Sequence, residues 1–179
     1  MALGAGLAAL RHTLDNTVKD QQTLEDITRV GLIGSIPLDK ELRKGPSISF
    51  DGDNSAFAEA FRKLRTSLQF LAVDNPPRVI LVTSSWANEG KSTSAINLAL
   101  ALAEGEHNVV LVDGDLRRPS LDKYLDLVGS VGFSTVLAGQ VSIDDVLQKT
   151  RFPRLTVLTS GLSRPTRASS SGRWQPKSY

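Results

Sequence analysis

The stretch Val79–Thr93, VILVTSSWANEGKST, decides how this chain is read. Val79 to Thr83 are β-branched or aliphatic and predict a short buried strand. The run empties into small and polar residues that turn at Gly90, and a helix opens with Ser92 and Thr93. Ile96, Leu98, Leu100 and Leu102, with alanines between them, give that helix a broad apolar face. Strand, loop and helix start in this order present several backbone N–H groups, and the positive end of the helix dipole, to one anion.

The residue types suit a triphosphate. Gly90 lets the main chain approach phosphate oxygens with no Cβ in the way. Lys91 can reach the terminal phosphates, and the Ser92 hydroxyl can complete the shell of a magnesium ion, while Glu89 and Thr93 flank the cradle. The pattern is that of a P-loop with one departure: Ser85 stands where a first glycine is expected. Asn88 tolerates positive φ and is expected to supply the turn instead. ATP and Mg2+ are the cofactors this motif calls for.

Outward from this stretch, the second chemical signal is VVLVDGDLRRP. Val109–Val112 predicts another buried strand, and Asp113 and Asp115 lie at its carboxyl end, the edge at which ligands bind in open α/β sheets. Beside a phosphate site such carboxylates can hold magnesium or orient an attacking hydroxyl, so Lys91, Asp113 and Asp115 are the catalytic candidates and Ser92, Asp113 and Asp115 the metal candidates. An Asp-rich turn accepting backbone hydrogen bonds is the structural alternative. Helices are expected over Leu121–Val128 and on both sides of a glycine break in GFSTVLAGQVSIDDVLQ, the second capped by Ser142; Leu155–Thr159 is a third strand.

Before the phosphate loop, SAFAEAFRKLRTSLQFL predicts a helix from Ser55, capped by Asp53 or Asn54, with Phe57, Phe61, Leu64 and Leu68 facing the core. Glu59, Arg62 and Arg65 lie three apart on a shared, more exposed flank. Thr23 with Asp26 predicts a short helix running to Val30, and GLIGSIP a brief strand closed by Pro37. Residues 39–54 mix charge, glycine and proline and are read as a linker. The apolar start, MALGAGLAAL, is too short to span a bilayer and lacks the basic flank of a signal peptide.

Composition sets the remaining bounds. The 179 residues, 40 % of them hydrophobic, suffice for one ordinary core. With no cysteine there is neither a disulfide frame nor a thiolate metal site, and His12 and His107 are read as surface residues. The chain has 21 basic and 19 acidic side chains, but four of the basic ones (Arg164, Arg167, Arg173, Lys177) follow Gly161 with no acid among them. The folded part is therefore slightly acidic, which argues against nucleic acid as a partner.

With these motifs in place the chain resembles the bacterial tyrosine kinases that form the cytoplasmic half of capsule and exopolysaccharide chain-length regulators. SSWANEGKST looks like their Walker A motif, VVLVDGDLRRP like their Walker A′, and Glu59-x-x-Arg62-x-x-Arg65 like their subunit-contact motif. The resemblance implies an α/β fold with a P-loop NTPase-like parallel sheet, helices on both faces, incomplete at its C-terminal side. It also implies transfer of the ATP γ-phosphoryl group to tyrosines of neighbouring subunits in a homo-oligomer, at the cytoplasmic face of the membrane beside a polysaccharide co-polymerase part. Residues 1–38 then read as a juxtamembrane helix and linker following a transmembrane segment, and 55–160 as the kinase domain. Residues 161–179, rich in serine and arginine, read as a disordered tail in a shifted reading frame standing where the family carries further strands and a third acidic motif. Two other readings are a non-catalytic nucleotide-binding module that docks on an intact kinase, and a partition-type ATPase. The latter's usual lysine near the start of the loop is absent here.

Overall fold

The computed structural model describes residues 21–38, 48, 53–71, 74 and 76–161. The linker expected at 39–54, the apolar start and the tail after Gly161 fall largely or wholly outside them. Residues up to Ser35 form one unit and those from Ile36 another. In the first, helix α1 spans Gln21–Thr28 and ends as Arg29 adopts φ 56°. Thr23 therefore lies inside the helix rather than capping it, and the expected strand in GLIGSIP does not form. Among the described residues no helix is long and apolar enough to cross a membrane.

The second unit contains α2 (Ala56–Phe70), α3 (Lys91–Glu104), β1 (Val109–Val112), α4 (Leu121–Leu125), α5 (Phe133–Leu137), α6 (Ile143–Val146), β2 (Gln148–Lys149) and β3 (Leu155–Leu158). Its sheet has the order β1-β3-β2, with β1 parallel to β3 from the pair Val109↔Leu155 to Val112↔Leu158 and the two-residue β2 antiparallel to β3. The fold is mixed α/β, and the parallel character expected of the sheet holds for β1 and β3.

Helix α3 is the central element. Ile96, Ala99, Leu100 and Ala103 join a core with Leu121, Phe152, Leu155 and Val157, while Leu98 and Ala101 on another side meet Phe57 and Phe61 of α2. A helix buried on two sides has to be apolar nearly all round, which accounts for its alternating leucines and alanines. The α2 reading holds for the core face: Phe57 and Phe61 are buried edge to face, with ring centres 5.1 Å apart, and Leu64 and Leu68 pack beside them. Its cap is Ser55, whose Oγ accepts the N–H of Ala58 at 3.1 Å, while Asp53 accepts the N–H of Ser55 itself.

The flank read as exposed is largely engaged. Arg62 Nε donates to Glu104 Oε2 at 3.1 Å and its Nη2 to the Asp53 carbonyl at 3.0 Å, and Arg65 Nη1 donates to the Ala101 carbonyl at 2.7 Å. The Ala101 carbonyl, which also accepts the Gly105 N–H at 3.2 Å, thus takes a second donor from the adjacent helix at the carboxyl end of α3. Glu59 stays on the open side, 3.7 Å from Arg62, its side chain 52 % exposed.

The first expected strand is the principal correction. Val79–Thr83 runs without strand pairing, with Val79 89 % and Leu81 87 % exposed. β-branched residues favour extended backbone, but a ladder needs a neighbouring edge, and no described hydrogen bond joins this segment to β1. Smaller differences follow from local backbone: α4 stops at Leu125 because Asp126 turns left-handed at φ 55°, and β3 ends at Leu158. Beyond β3, the Thr159 carbonyl accepts the N–H of Phe133, and a Cβ at Gly132 would collide with that carbonyl. Ser142 occupies the start of α6 as read, without a side-chain cap bond.

Phe61 is 2 % exposed at the α2–α3 contact. Phe61→Ala is expected to cost about 3–5 kcal/mol in urea denaturation, the range for emptying a buried phenylalanine site.

Candidate functional site

The phosphate loop is shaped by its own backbone. Asn88 has φ 66° and Gly90 φ 80°, so the asparagine supplies the left-handed turn that the missing glycine leaves to it. The space a Cβ would take at Gly90 is open, and Gly90 caps α3 without a side-chain bond. The N–H groups of Lys91, Ser92 and Thr93 open the helix and have no intrahelical acceptor. Two local bonds hold the tip: Glu89 Oε2 accepts the Trp86 N–H at 3.0 Å, and Ser84 Oγ donates to the Trp86 carbonyl at 3.0 Å. The Glu89 carboxylate thus serves the loop's own shape, while the Trp86 ring stands 78 % exposed.

The turn after β1 meets this loop. Asp113, 6 % exposed, accepts the Asp115 N–H at 3.1 Å on one oxygen and the N–H groups of Ser120 and Leu121, at 3.0 and 3.1 Å, on the other. A buried carboxylate with three N–H donors fixes the path of the chain from β1 into α4. Asp115 accepts the N–H groups of Arg117 and Arg118 at 3.2 and 2.9 Å, and its Oδ2 receives Lys91 Nζ at 2.8 Å. The lysine bond, then the Arg118 N–H, lowers the Asp115 carboxyl below its usual value against the opposing effect of burial. Ser120 Oγ donates to Ser92 Oγ at 2.9 Å. The structure therefore brings Lys91, Ser92, Asp113 and Asp115 together, and leaves Glu59, Arg62 and Arg65 at the far end of α3, where Arg62 and Arg65 reach Glu104 and Ala101.

Ser120 was not legible as a site residue: no motif spacing marks it, and only its place just before α4 hints at a role. The site fits the anionic end of a nucleotide, with an open glycine, free helix-opening N–H groups and a lysine converging on one point. For magnesium the fit is narrower. Among the described residues no three acidic or histidine side chains gather, and both Asp113 oxygens are engaged. Both Asp115 oxygens are engaged as well, but the partner of Oδ2 is a lysine side chain that can exchange for a ligand, so Ser92 and Asp115 are the groups able to take part.

Sequence and structure comparisons agree on the family. The tyrosine-protein kinase YwqD of Bacillus subtilis is 35 % identical over 128 residues, 71 % of this chain and 54 % of that protein. The kinase domain of Escherichia coli tyrosine kinase ETK superposes with a TM-score of 0.74 at 26 % identity, over 83 % of this chain and 62 % of that one. Its relatives are bacterial tyrosine kinases. The chimerical protein CapA2B2, with a TM-score of 0.69 at 30 % identity, covers 82 % of this chain. No family model matches the chain. The chain spans about half the length of the B. subtilis kinase it matches, and the bacterial tyrosine kinase fold is what the two share.

The Lys91–Asp115 pair has a pH signature. Because the folded carboxyl lies below the ordinary 3.8, its contribution to stability is complete above that value and lost as pH falls through the lower folded value. Asp115→Asn should lower the urea midpoint at pH 6, with the difference from the parent shrinking below about pH 4. A difference that keeps its full size in acid would contradict the pairing.

Proposed function

We propose that this chain is an ATP-binding domain of the bacterial tyrosine kinase type, which moves the γ-phosphoryl group of ATP to tyrosine hydroxyls of neighbouring subunits and so regulates capsule or exopolysaccharide synthesis at the cytoplasmic face of the membrane. The observation that carries this reading is the 2.8 Å bond from Lys91, the first residue of the phosphate-loop helix, to Asp115 on the turn after β1. It joins the two motifs that the chemistry needs on one side of α3.

In this reading the N–H groups at the start of α3 bind the phosphates, and Lys91 exchanges part of its contact with Asp115 for the terminal phosphate. Ser92 and Asp115 would hold a magnesium ion, which would supply charge neutralisation for the phosphates. Asp113 acts as a positioning residue, since its oxygens are taken by main-chain donors. Phosphoryl transfer passes through a loose transition state, so placement and charge matter more than a strong base, and a carboxylate with a lowered pKa suffices beside the acceptor hydroxyl. Glu59 is the member of the Glu59/Arg62/Arg65 group most open to a neighbouring subunit, while the arginines fix the helix that presents it.

The engagement of both carboxylates favours a second reading, a nucleotide-binding module that docks on an intact kinase without transferring phosphate itself. Incubation with Mg-ATP separates the two: phosphotyrosine on the chain or on an added intact relative supports transfer, and binding without phosphotyrosine supports the module. For either reading, Lys91→Met should weaken Mg-ATP binding by about tenfold or more in calorimetry, about 1.4 kcal/mol. Unchanged affinity in a folded Lys91→Met protein would remove both.

A further inference from the structure

Ser120 stands where a helix-capping serine is expected, yet its hydroxyl does not cap. It precedes α4 directly and makes no side-chain bond to the first turn of that helix. A serine in this place ordinarily accepts the N–H of the second or third helical residue. At the entry to α4 a different side chain holds the backbone: Asp113 Oδ2 accepts the N–H groups of both Ser120 and Leu121, at 3.0 and 3.1 Å. The hydroxyl released from capping reaches across the site instead, where Ser120 Oγ donates to Ser92 Oγ at 2.9 Å. Ser92, the second residue of α3, has three staggered side-chain positions open to it in principle, and this bond favours one. A hydroxyl suited to ligate a cation is thus oriented by a residue 28 positions away, whose own main chain is pinned by a buried carboxylate.

We propose that Ser120 is a positioning residue for magnesium: it holds the Ser92 hydroxyl in the orientation that keeps a lone pair for the ion, and it accepts the Ser92 hydrogen once the ion is bound. This rests on the nucleotide reading above. A hydroxyl has one hydrogen to donate and two lone pairs to accept with. In the structure Ser120 engages one lone pair of Ser92. An oxygen that ligates a cation becomes a poorer acceptor and a stronger donor, so its hydrogen then needs an acceptor nearby. Turning the two O–H bonds supplies one with both oxygens in place. Ser92 donates to Ser120, both Ser92 lone pairs are released, and the partly open Ser120 turns its own hydrogen to water.

A purely structural part for Ser120 fits less well. The contact that shapes the turn is made by its main-chain N–H, which any residue but proline would supply, whereas its hydroxyl is spent on Ser92. The arrangement also gives Asp113 a part in metal binding at one remove. Its oxygens serve three main-chain donors, and by fixing the Ser120 backbone they keep that hydroxyl within reach of Ser92. Pre-orienting a ligand in this way removes part of the ordering cost of binding the ion.

Calorimetric ATP affinity of the full chain, measured once with Mg2+ and once with EDTA, tests the proposal. The readout is the factor by which Mg2+ tightens binding. Ser120→Ala should keep the parent's affinity in EDTA within about twofold and lose about tenfold of the Mg2+ factor, the size of a hydrogen bond to a polarised group. Ser120→Cys, whose sulfur donates and accepts weakly, should follow the alanine variant, and Ser120→Thr should restore the factor. Ser92→Ala combined with Ser120→Ala should lose no more than Ser92→Ala alone, because the two hydroxyls act as one unit. An unchanged Mg2+ factor in Ser120→Ala overturns the proposal. So does an equal loss with and without Mg2+, which marks a structural role at the start of α4, and so does a parent whose ATP binding gains nothing from Mg2+. A parent that binds ATP in neither condition overturns the nucleotide reading as well. ATP bound instead in the cavity of about 470 Å³ lined by Ile80, Val110 and His107 would depend on neither serine and overturns both.

Discussion

Burial of helix α3 on two sides is the constraint from which the rest follows. One side completes the core over β1 and β3 through Ile96, Leu100 and Ala103, and another receives Phe57 and Phe61 through Leu98 and Ala101. Because Ile96 and Leu100 are fully buried, the helix has little freedom to rotate or slide. Its amino end is thereby held facing the turn after β1, and its carboxyl end is held by Arg62 and Arg65 of α2. The phosphate loop is the free end of a firmly seated helix.

The two acidic residues of the DGD turn divide the work. Asp113 is buried and spends its oxygens on three main-chain donors, so it sets the geometry, whereas Asp115 is partly open and meets Lys91. This division explains how a turn with two carboxylates close together can sit beside a phosphate site: one charge is absorbed by the backbone and the other by a lysine. In the proposed reading, a nucleotide arriving at Gly90 competes with Asp115 for that lysine. The ion pair keeps the lysine poised at the mouth of the loop.

Much of this was legible because it is local. The helix after Gly90, the strand Val109–Val112, the core face of α2 and the left-handed Asn88 follow from short-range pattern and backbone preference. What failed depends on partners distant in sequence. Val79–Thr83 has strand composition but no neighbouring edge, and Arg62 and Arg65 look like solvated charges until Glu104 and the Ala101 carbonyl are placed against them. The two acids of the turn were identified by type, but their unequal burial was not, since it depends on how β1 passes into α4. The Ser92–Ser120 bond was hidden for the same reason: the residues are 28 apart and no periodicity links them.

The account stands on a triphosphate settling at the start of α3 within reach of the acidic turn. Its most direct measurement is an NMR titration of the chain with Mg-ATP, following backbone amides. The account requires the amides of residues 88–93 and those of 115–118 to shift together along a single saturating curve, because Lys91 and Asp115 couple the two loops. Shifts confined to the cavity beside His107, or a folded chain whose amides do not respond, would contradict it.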